Sequence, residues 1–237
     1  YADNFAHQAH LVHAPGADAP AVAALAAAVA QAGGQSAPAN LGSAAAAAGL
    51  DAEQLNAVAR SLAEGEKVAV LVGVQAQEHP QAAEIAALAH QLAELAGARF
   101  GYLAPYGNSV GAWAMGCVPH RGPGGDAARP GQPAAAFLGG EGRKGYLVVG
   151  ADPLVEAGDP AAARDAFRAA DFRLVVASHW SATAEEADVV LPAAAYPENE
   201  GTYLSGEGRL QTFRAAAKPA GEGRPAWKIL RVLAHSL

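Results

Sequence analysis

The 237 residues contain a single cysteine, Cys117. One thiol makes no disulfide within the chain. It also falls short of the roughly four thiolates that hold an iron–sulfur cluster. Cations are scarce: 16 lysines and arginines against 23 aspartates and glutamates leave a formal charge of −7. Nucleic-acid binding needs a basic face for the phosphates, so this balance argues against it. No uninterrupted apolar stretch approaches about 20 residues, so nothing reads as a membrane span. No Lys/Arg-led apolar segment opens the chain, as a secretory signal would. The phosphate-cradling G-x-x-x-x-G-K-[ST] and the hydrolase elbow G-x-S-x-G are both missing. G-x-G-x-x-G occurs by letter at Gly140–Gly145, but it precedes a strand instead of leaving one. A pyrophosphate there would have no helix N-terminus to sit on.

What the chain has is apolar bulk, 51% of residues and much of it alanine, enough for one good core or two small ones. Val22, Leu25 and Val29 fall at helical spacing within Pro20–Gln31. Gly33–Gly49 is low in complexity and reads as a loop or a weak helix. Asp51, with Gln54 three residues on, is an N-cap signal for a helix burying Leu55, Val58 and Leu62. Lys67–Val72 reads as a strand buried on both faces. A helix over Pro80–Ala96 with Ile85, Leu88, Leu92 and Leu95 on one stripe follows, then a strand over Ala98–Leu103, a βαβ unit. Gly116–Lys144 is crowded with Gly and Pro and too long for an ordinary connection, with Ala134–Leu138 as a brief helix. Strands are expected at Gly145–Val149, Phe172–Ala177 and Ala187–Leu191. Asp159 with Pro160 opens a helix between the first two. Trp227–Leu237 closes as a helix. The order is that of a doubly wound, mostly parallel α/β sheet with helices on both faces. Residues 1–237 read as one such region, divisible into halves 1–115 and 145–237 about the loop 116–144. The opening at Tyr1 without an initiator Met, and the close at Leu237 inside a helical pattern, read as an internal fragment of a longer subunit.

Several residue sets invite chemistry. His7, His10 and His13 recur every three residues, but no cysteine or carboxylate cluster completes a zinc site, so a surface loop is expected. Cys117 and His120 could pair as nucleophile and base; a small buried thiol is the simpler expectation. Arg121 is placed to pin that loop through a carboxylate or carbonyl. Glu198 and Glu200 could serve as acid and base. The plainer alternative has Arg209 bridging to a carboxylate and fixing the loop that bears Glu207. Gly150, Asp152 and Pro153 form a strand-end turn, and Ser178, His179 and Trp180 end the next strand.

Three segments carry a resemblance. Residues 183–211 contain E-x-A-D-V-V-L-P, then E-x-E-G-T-Y, then E-G-R-x-Q; residues 108–121 read NSVGAWAMGCVPHR; residues 144–160 read KGYLVVGADPLVEAGDP. Together they resemble the molybdopterin oxidoreductase superfamily. Within it they are most similar to the C-terminal part of the large iron–sulfur subunits of respiratory complex I, the 75 kDa family of NADH-quinone oxidoreductases. The likeness spans 105–237 well and 1–104 loosely.

The resemblance implies a non-catalytic scaffold, with electron transfer from NADH to quinone carried by cofactors held elsewhere. It implies 2Fe-2S and 4Fe-4S clusters in N-terminal domains that this chain lacks, and no cofactor or metal here. Partners would be the other peripheral-arm subunits, on the cytoplasmic face of the bacterial inner membrane. It places a vestigial pterin site at Gly150, Asp152, Pro153, Ser178, Glu200, Gly201 and Arg209. Asp152 stands where relatives often have Asn, and Ser205-Gly206 replaces the Asn-Thr of the family's T-x-x-N-T-E-x-R. The alternative is a fragment of a formate-dehydrogenase-like or nitrate-reductase-like enzyme binding a pterin guanine dinucleotide.

Overall fold

The computed structural model describes residues 7–38, 41, 48–139 and 142–236. The chain divides after Tyr106 into two compact units, Tyr1–Tyr106 and Gly107–Leu237. The Gly/Pro-rich segment 116–144 thus falls inside the second unit.

In the first unit, helix α1 (Asp18–Ala32) packs against α2 (Ala52–Ala63) and the later α4 (Ala82–Leu95). The expected stripe on α1 is wider in the structure. Ala23, Ala24, Ala26, Ala28, Val29 and Ala30 are all buried, while Val22 and Leu25 are only half-buried. A helix apolar over most of its surface can be covered from more than one side, and alanine lets two helices approach it at once. Asp51 caps α2, its carboxylate accepting the Gln54 N–H at 2.8 Å. Strand β1 (Ala69–Val72) is followed by the one-turn α3 (Val74–Gln77) and α4. Strand β2 (Arg99–Tyr102) then pairs with β1 in parallel, Ala69 opposite Arg99 and Val72 opposite Tyr102. Ile85 and Leu92 of α4 are buried and Leu88 and Leu95 pack beside the core. Burial of β1 on both faces does not hold: Val72 is 5% exposed but Leu71 is 55% exposed. Two short strands give their helices only one face to cover.

In the second unit, α5 (Ser109–Ala114) leads into the glycine-rich segment. Within it, bridges join Arg121 to Val118 and Ala127, and α6 (Ala134–Leu138) lies at the place expected for a brief helix. Strand β3 (Gly145–Val149), the one-turn α7 (Pro153–Glu156) and α8 (Pro160–Arg168) precede β4 (Phe172–Ala177). The one-turn α9 (Ala182–Glu185) precedes β5 (Val189–Pro192). The three strands are parallel and in sequence order, β3-β4-β5. Asp159 caps α8, accepting the Ala162 N–H at 3.0 Å, with Pro160 at the first helical position. Tyr146, Leu154, Ala163, Phe167, Val175 and Ala184 form the core on one sheet face. Register places Leu147, Leu174 and Val189 together on the other face, where Leu147 is 54% and Val189 38% exposed. The ADVVL run is therefore half-covered here, not fully buried.

The charged loop expected after β5 is instead an antiparallel hairpin, β6 (Gly201–Leu204) with β7 (Leu210–Phe213). Its determinants are cross-strand pairs. Tyr203 meets Phe213 edge-to-face at 5.0 Å, and the Thr202 and Thr212 hydroxyls lie 3.2 Å apart. Gly208 closes the turn at φ +79°, a left-handed conformation that favours glycine. Helix α10 (Ala226–Ser236) ends the described chain; Leu237, the last residue of its expected apolar face, lies outside the described residues. Among the described residues, no helix is long and apolar enough to cross a membrane.

At the N-terminal ends of β4 and β5, Glu186 accepts from Arg168 at 2.8 Å and from Arg164 at 3.0 Å. Asp188 accepts from Arg173 at 2.8 Å. The Arg168 hydrogen bond, joined by Arg164, holds the Glu186 carboxyl below its ordinary range; Arg173 does the same for Asp188 and is itself raised by it. A folded-state value below the unfolded one means that the unfolded chain binds more protons. The stabilisation is thus complete above the ordinary carboxylate range and is lost as pH falls through it. Urea midpoints should fall as pH drops below about 4.5, the usual glutamate value, and Glu186→Gln should flatten that fall. A Glu186→Gln profile parallel to the parent would show that the pairs contribute nothing. Phe167→Ala should cost about 3–5 kcal/mol by urea denaturation, because the ring is fully buried and packs 5.5 Å from Tyr146.

Candidate functional site

In open α/β sheets, ligands collect at the C-terminal strand ends, so the turns after β3 and β4 are the first place to look. Gly150 leaves β3 at φ +63°, and its N–H donates to Val176 O of β4 at 2.9 Å. That bond is the last rung of the β3–β4 ladder, and the chain leaves the sheet at the left-handed glycine. Two residues on, Asp152 turns inward. Its Oδ1 accepts the Thr183 N–H at 3.1 Å and also the Thr183 hydroxyl. The same hydroxyl accepts the Leu154 N–H at 3.3 Å. Thr183 is fully buried. Pro153 opens α7, and the Asp152 N–H donates to Glu156 Oε2 at 2.9 Å. The turn after β3 is therefore locked to α9 through one desolvated hydroxyl. Thr183 opens the run that carries the resemblance, yet its role is not legible there. Nothing in T-A-E-E says that the threonine faces a carboxylate 31 residues earlier.

The turn after β4 is open. Ser178 Oγ lies 2.9 Å from His179 Nδ1, and Trp180 is 70% exposed. Neither turn, Gly150–Pro153 or Ser178–Ser181, carries a lysine or arginine. A pterin dinucleotide brings a pyrophosphate, which calls for cations or converging N–H groups. The β3 turn meets that space with Asp152 and Glu156, and with an Asp152 oxygen already taken by Thr183. These residues do not fit the group.

The remaining candidates do not join them in one site. Glu200 pairs with Lys228 at 3.5 Å. Gly201 begins β6, whereas Arg209 sits at the far end of the hairpin. The expected bridge from Arg209 to a carboxylate is not made among the described residues. The loop is closed by its main chain instead, Ser205 N–H to Arg209 O at 3.0 Å and Gly208 N–H to Ser205 O at 2.9 Å. Glu198 is consumed as a clamp, accepting the Ala195 N–H at 2.9 Å and the Ala220 N–H at 3.1 Å. Glu198 and Glu200 therefore form no acid–base pair.

Cys117 is exposed, contrary to the buried thiol expected. The His120 ring lies against Trp113 at 5.1 Å, and among the described residues no hydrogen bond joins it to Cys117. Arg121 holds its loop through backbone bridges. Among the described residues, no group of three or more His, Cys, Asp or Glu side chains could hold a metal ion. His13 and His79 instead flank Asp18, at 3.8 and 3.6 Å.

The sequence matches the family described as molybdopterin oxidoreductase over residues 4–236. An NADH-quinone oxidoreductase subunit of Rhizobium meliloti is 34% identical over 199 residues, 73% of this chain and 23% of that protein. The F420-dependent formate dehydrogenase 2 subunit alpha of Methanococcus maripaludis is 37% identical over 105 residues, 44% of this chain and 16% of that protein. The chain thus spans less than a quarter of these relatives. Acetylene hydratase from Pelobacter acetylenicus shares the fold, with a TM-score of 0.71 at 17% identity, over 95% of this chain and 40% of its own.

The Thr183 lock is testable by substitution. Thr183→Val should cost about 1–3 kcal/mol, because it leaves the buried Leu154 N–H without its acceptor and removes the hydroxyl donor to Asp152. Asp152→Asn, whose amide oxygen still accepts, should cost less. Urea denaturation reads both, and equal losses would remove the hydroxyl from the account.

Proposed function

We propose, for a chain that belongs to the molybdopterin oxidoreductase family, a structural role: the scaffold portion of the large iron–sulfur subunit of a complex I, of the 75 kDa type. The observation that carries this reading is the reach of the likeness. The alignment with the NADH-quinone oxidoreductase subunit takes in 73% of the chain, against 44% for the formate dehydrogenase subunit. The strand-end chemistry supports it, because Asp152, Glu198 and Glu200 are each engaged by this chain's own groups.

In this reading, electrons pass from NADH to quinone through 2Fe-2S and 4Fe-4S clusters held by other domains of the parent subunit. The chain's partners are other subunits of the peripheral arm, on the cytoplasmic face of the bacterial inner membrane. Its own work is to present folded surface, and no residue of it acts on a substrate.

The second reading is a portion of a formate-dehydrogenase-type enzyme that binds a pterin guanine dinucleotide, favoured by 37% identity to the formate dehydrogenase subunit. Elemental analysis of the intact parent protein separates the two. The scaffold reading expects iron without molybdenum, and no fluorescent pterin after oxidative extraction. Molybdenum in step with protein would overturn it.

A further inference from the structure

Three segments of the first unit meet at one carboxylate. Asp18 opens α1, His13 lies in the segment that leads into it, and His79 lies in the turn between α3 and α4. His13 Nε2 is 3.8 Å from Asp18 Oδ1, and His79 Nε2 is 3.6 Å from Asp18 Oδ2. These are charge-contact distances, longer than a hydrogen bond. The three side chains are partly screened from water, 33% exposed for His13, 35% for Asp18 and 22% for His79. The first turn of a helix is a favourable place for a carboxylate. All of these contacts are made by the chain's own residues.

The other ring nitrogen of each histidine fixes where its hydrogen sits. A carbonyl only accepts, so His13 Nδ1, 2.9 Å from Ala14 O, carries hydrogen. The neutral His13 ring therefore turns a bare Nε2 toward Asp18, acceptor facing acceptor. An amide N–H only donates, so His79 Nδ1, which takes the Gln81 N–H at 3.0 Å, carries none. Neutral His79 therefore holds its hydrogen on Nε2, facing Asp18. A proton added to His13 goes to Nε2 and turns a repulsive contact into an attractive one, at no cost to the Ala14 bond. A proton added to His79 goes to Nδ1 and displaces the Gln81 N–H just ahead of α4.

Other charged groups on the elements packed here are Glu53 and Arg60 of α2 and Glu84 of α4, with Glu78 beside His79. Glu84 takes the Gln81 side-chain amide at 3.1 Å. Among the described residues, none of these four pairs with His13, Asp18 or His79. Farther along α4, His90 and Glu94 pair with each other at 3.6 Å, and the His7 and His10 rings lie 5.8 Å apart earlier in the leading segment.

We propose that His13 is the proton-responsive member of this trio. Uptake of a proton at His13 Nε2 latches the segment leading into α1 onto Asp18, while the Gln81 N–H holds His79 in its neutral, Nε2–H form. The inference goes beyond the proposed function: it needs only residues of the first unit, and it holds on either family reading.

Long-range proton–nitrogen NMR of the whole chain reads the tautomers. At neutral pH, His13 is expected as the Nδ1–H form and His79 as the Nε2–H form. On acidification, the Asp18 carboxyl-carbon resonance should shift in step with the His13 ring. The Ala14 amide, which donates to Ala48 O at 3.0 Å, should gain protection from exchange over the same steps. A gain of about two- to fivefold is expected, the size of an exposed ion pair. The Gln81 amide should keep its protection until the His79 ring itself charges. His13→Gln should abolish the Asp18 and Ala14 responses. His79→Asn, whose amide oxygen can still take the Gln81 N–H, should keep both. The tautomers are read on the parent chain, so they test the assignment even where a variant fails to fold. Both rings in the same tautomer, an Asp18 shift that follows His79, or an Ala14 amide indifferent to the His13 proton would overturn the latch.

Discussion

A buried threonine with no water to fall back on must find partners within the protein, and Thr183 makes three hydrogen bonds. Asp152 accepts from its hydroxyl and its N–H, and the Leu154 N–H donates to it. That knot ties the end of β3 to the start of α9, two segments that the sheet alone would not hold together. The contacts around it follow: Leu154 is carried into the core with Phe167, and the chain between β4 and β5 is fixed where it leaves the sheet. Unmaking one partner would leave a carboxylate oxygen or an amide desolvated, a cost comparable to a sizeable fraction of a domain's net stability.

The same knot governs what the strand ends can do. In an open parallel sheet these turns are where a ligand would meet the protein. Here the acidic side chain at that position looks inward and is spent on structure. Farther along, Glu198 closes onto two backbone amides and Glu200 onto Lys228. Three carboxylates that could have formed a reactive cluster are thus distributed over three structural tasks. Function is argued from a site and not from the fold, and these three carboxylates do not share one.

The two units show two ways of building a core from an alanine-rich chain. In the first, α1 is enclosed by helices because its side chains are too small to keep them apart. In the second, Phe167, Tyr146 and Leu154 fill one face of a three-stranded sheet, and the opposite face retains exposed Leu147 and Phe172. Parallel sheets are ordinarily covered on both faces. On that opposite face Val176 is fully buried while Leu147 and Phe172 stay exposed, so its cover is partial.

The elements whose signals are local were legible in the sequence. The Asp51 and Asp159 caps, the helix over Ala82–Leu95, the brief helix Ala134–Leu138 and the three parallel strands each depend on residues within a few positions of one another, and periodicity and capping chemistry act at that range. The family likeness was legible for the same reason, being carried by contiguous motifs. What the tertiary structure decided was everything that joins distant residues. It turned an expected charged loop into the β6–β7 hairpin, because Tyr203 and Phe213 meet only once the chain has folded back. It exposed Cys117, packed α1 against two helices, and left Leu71 facing outward. It also gave Asp152 its partner 31 residues away, since a hydrogen bond between two turns depends on where the sheet places them and leaves no periodic trace in the chain.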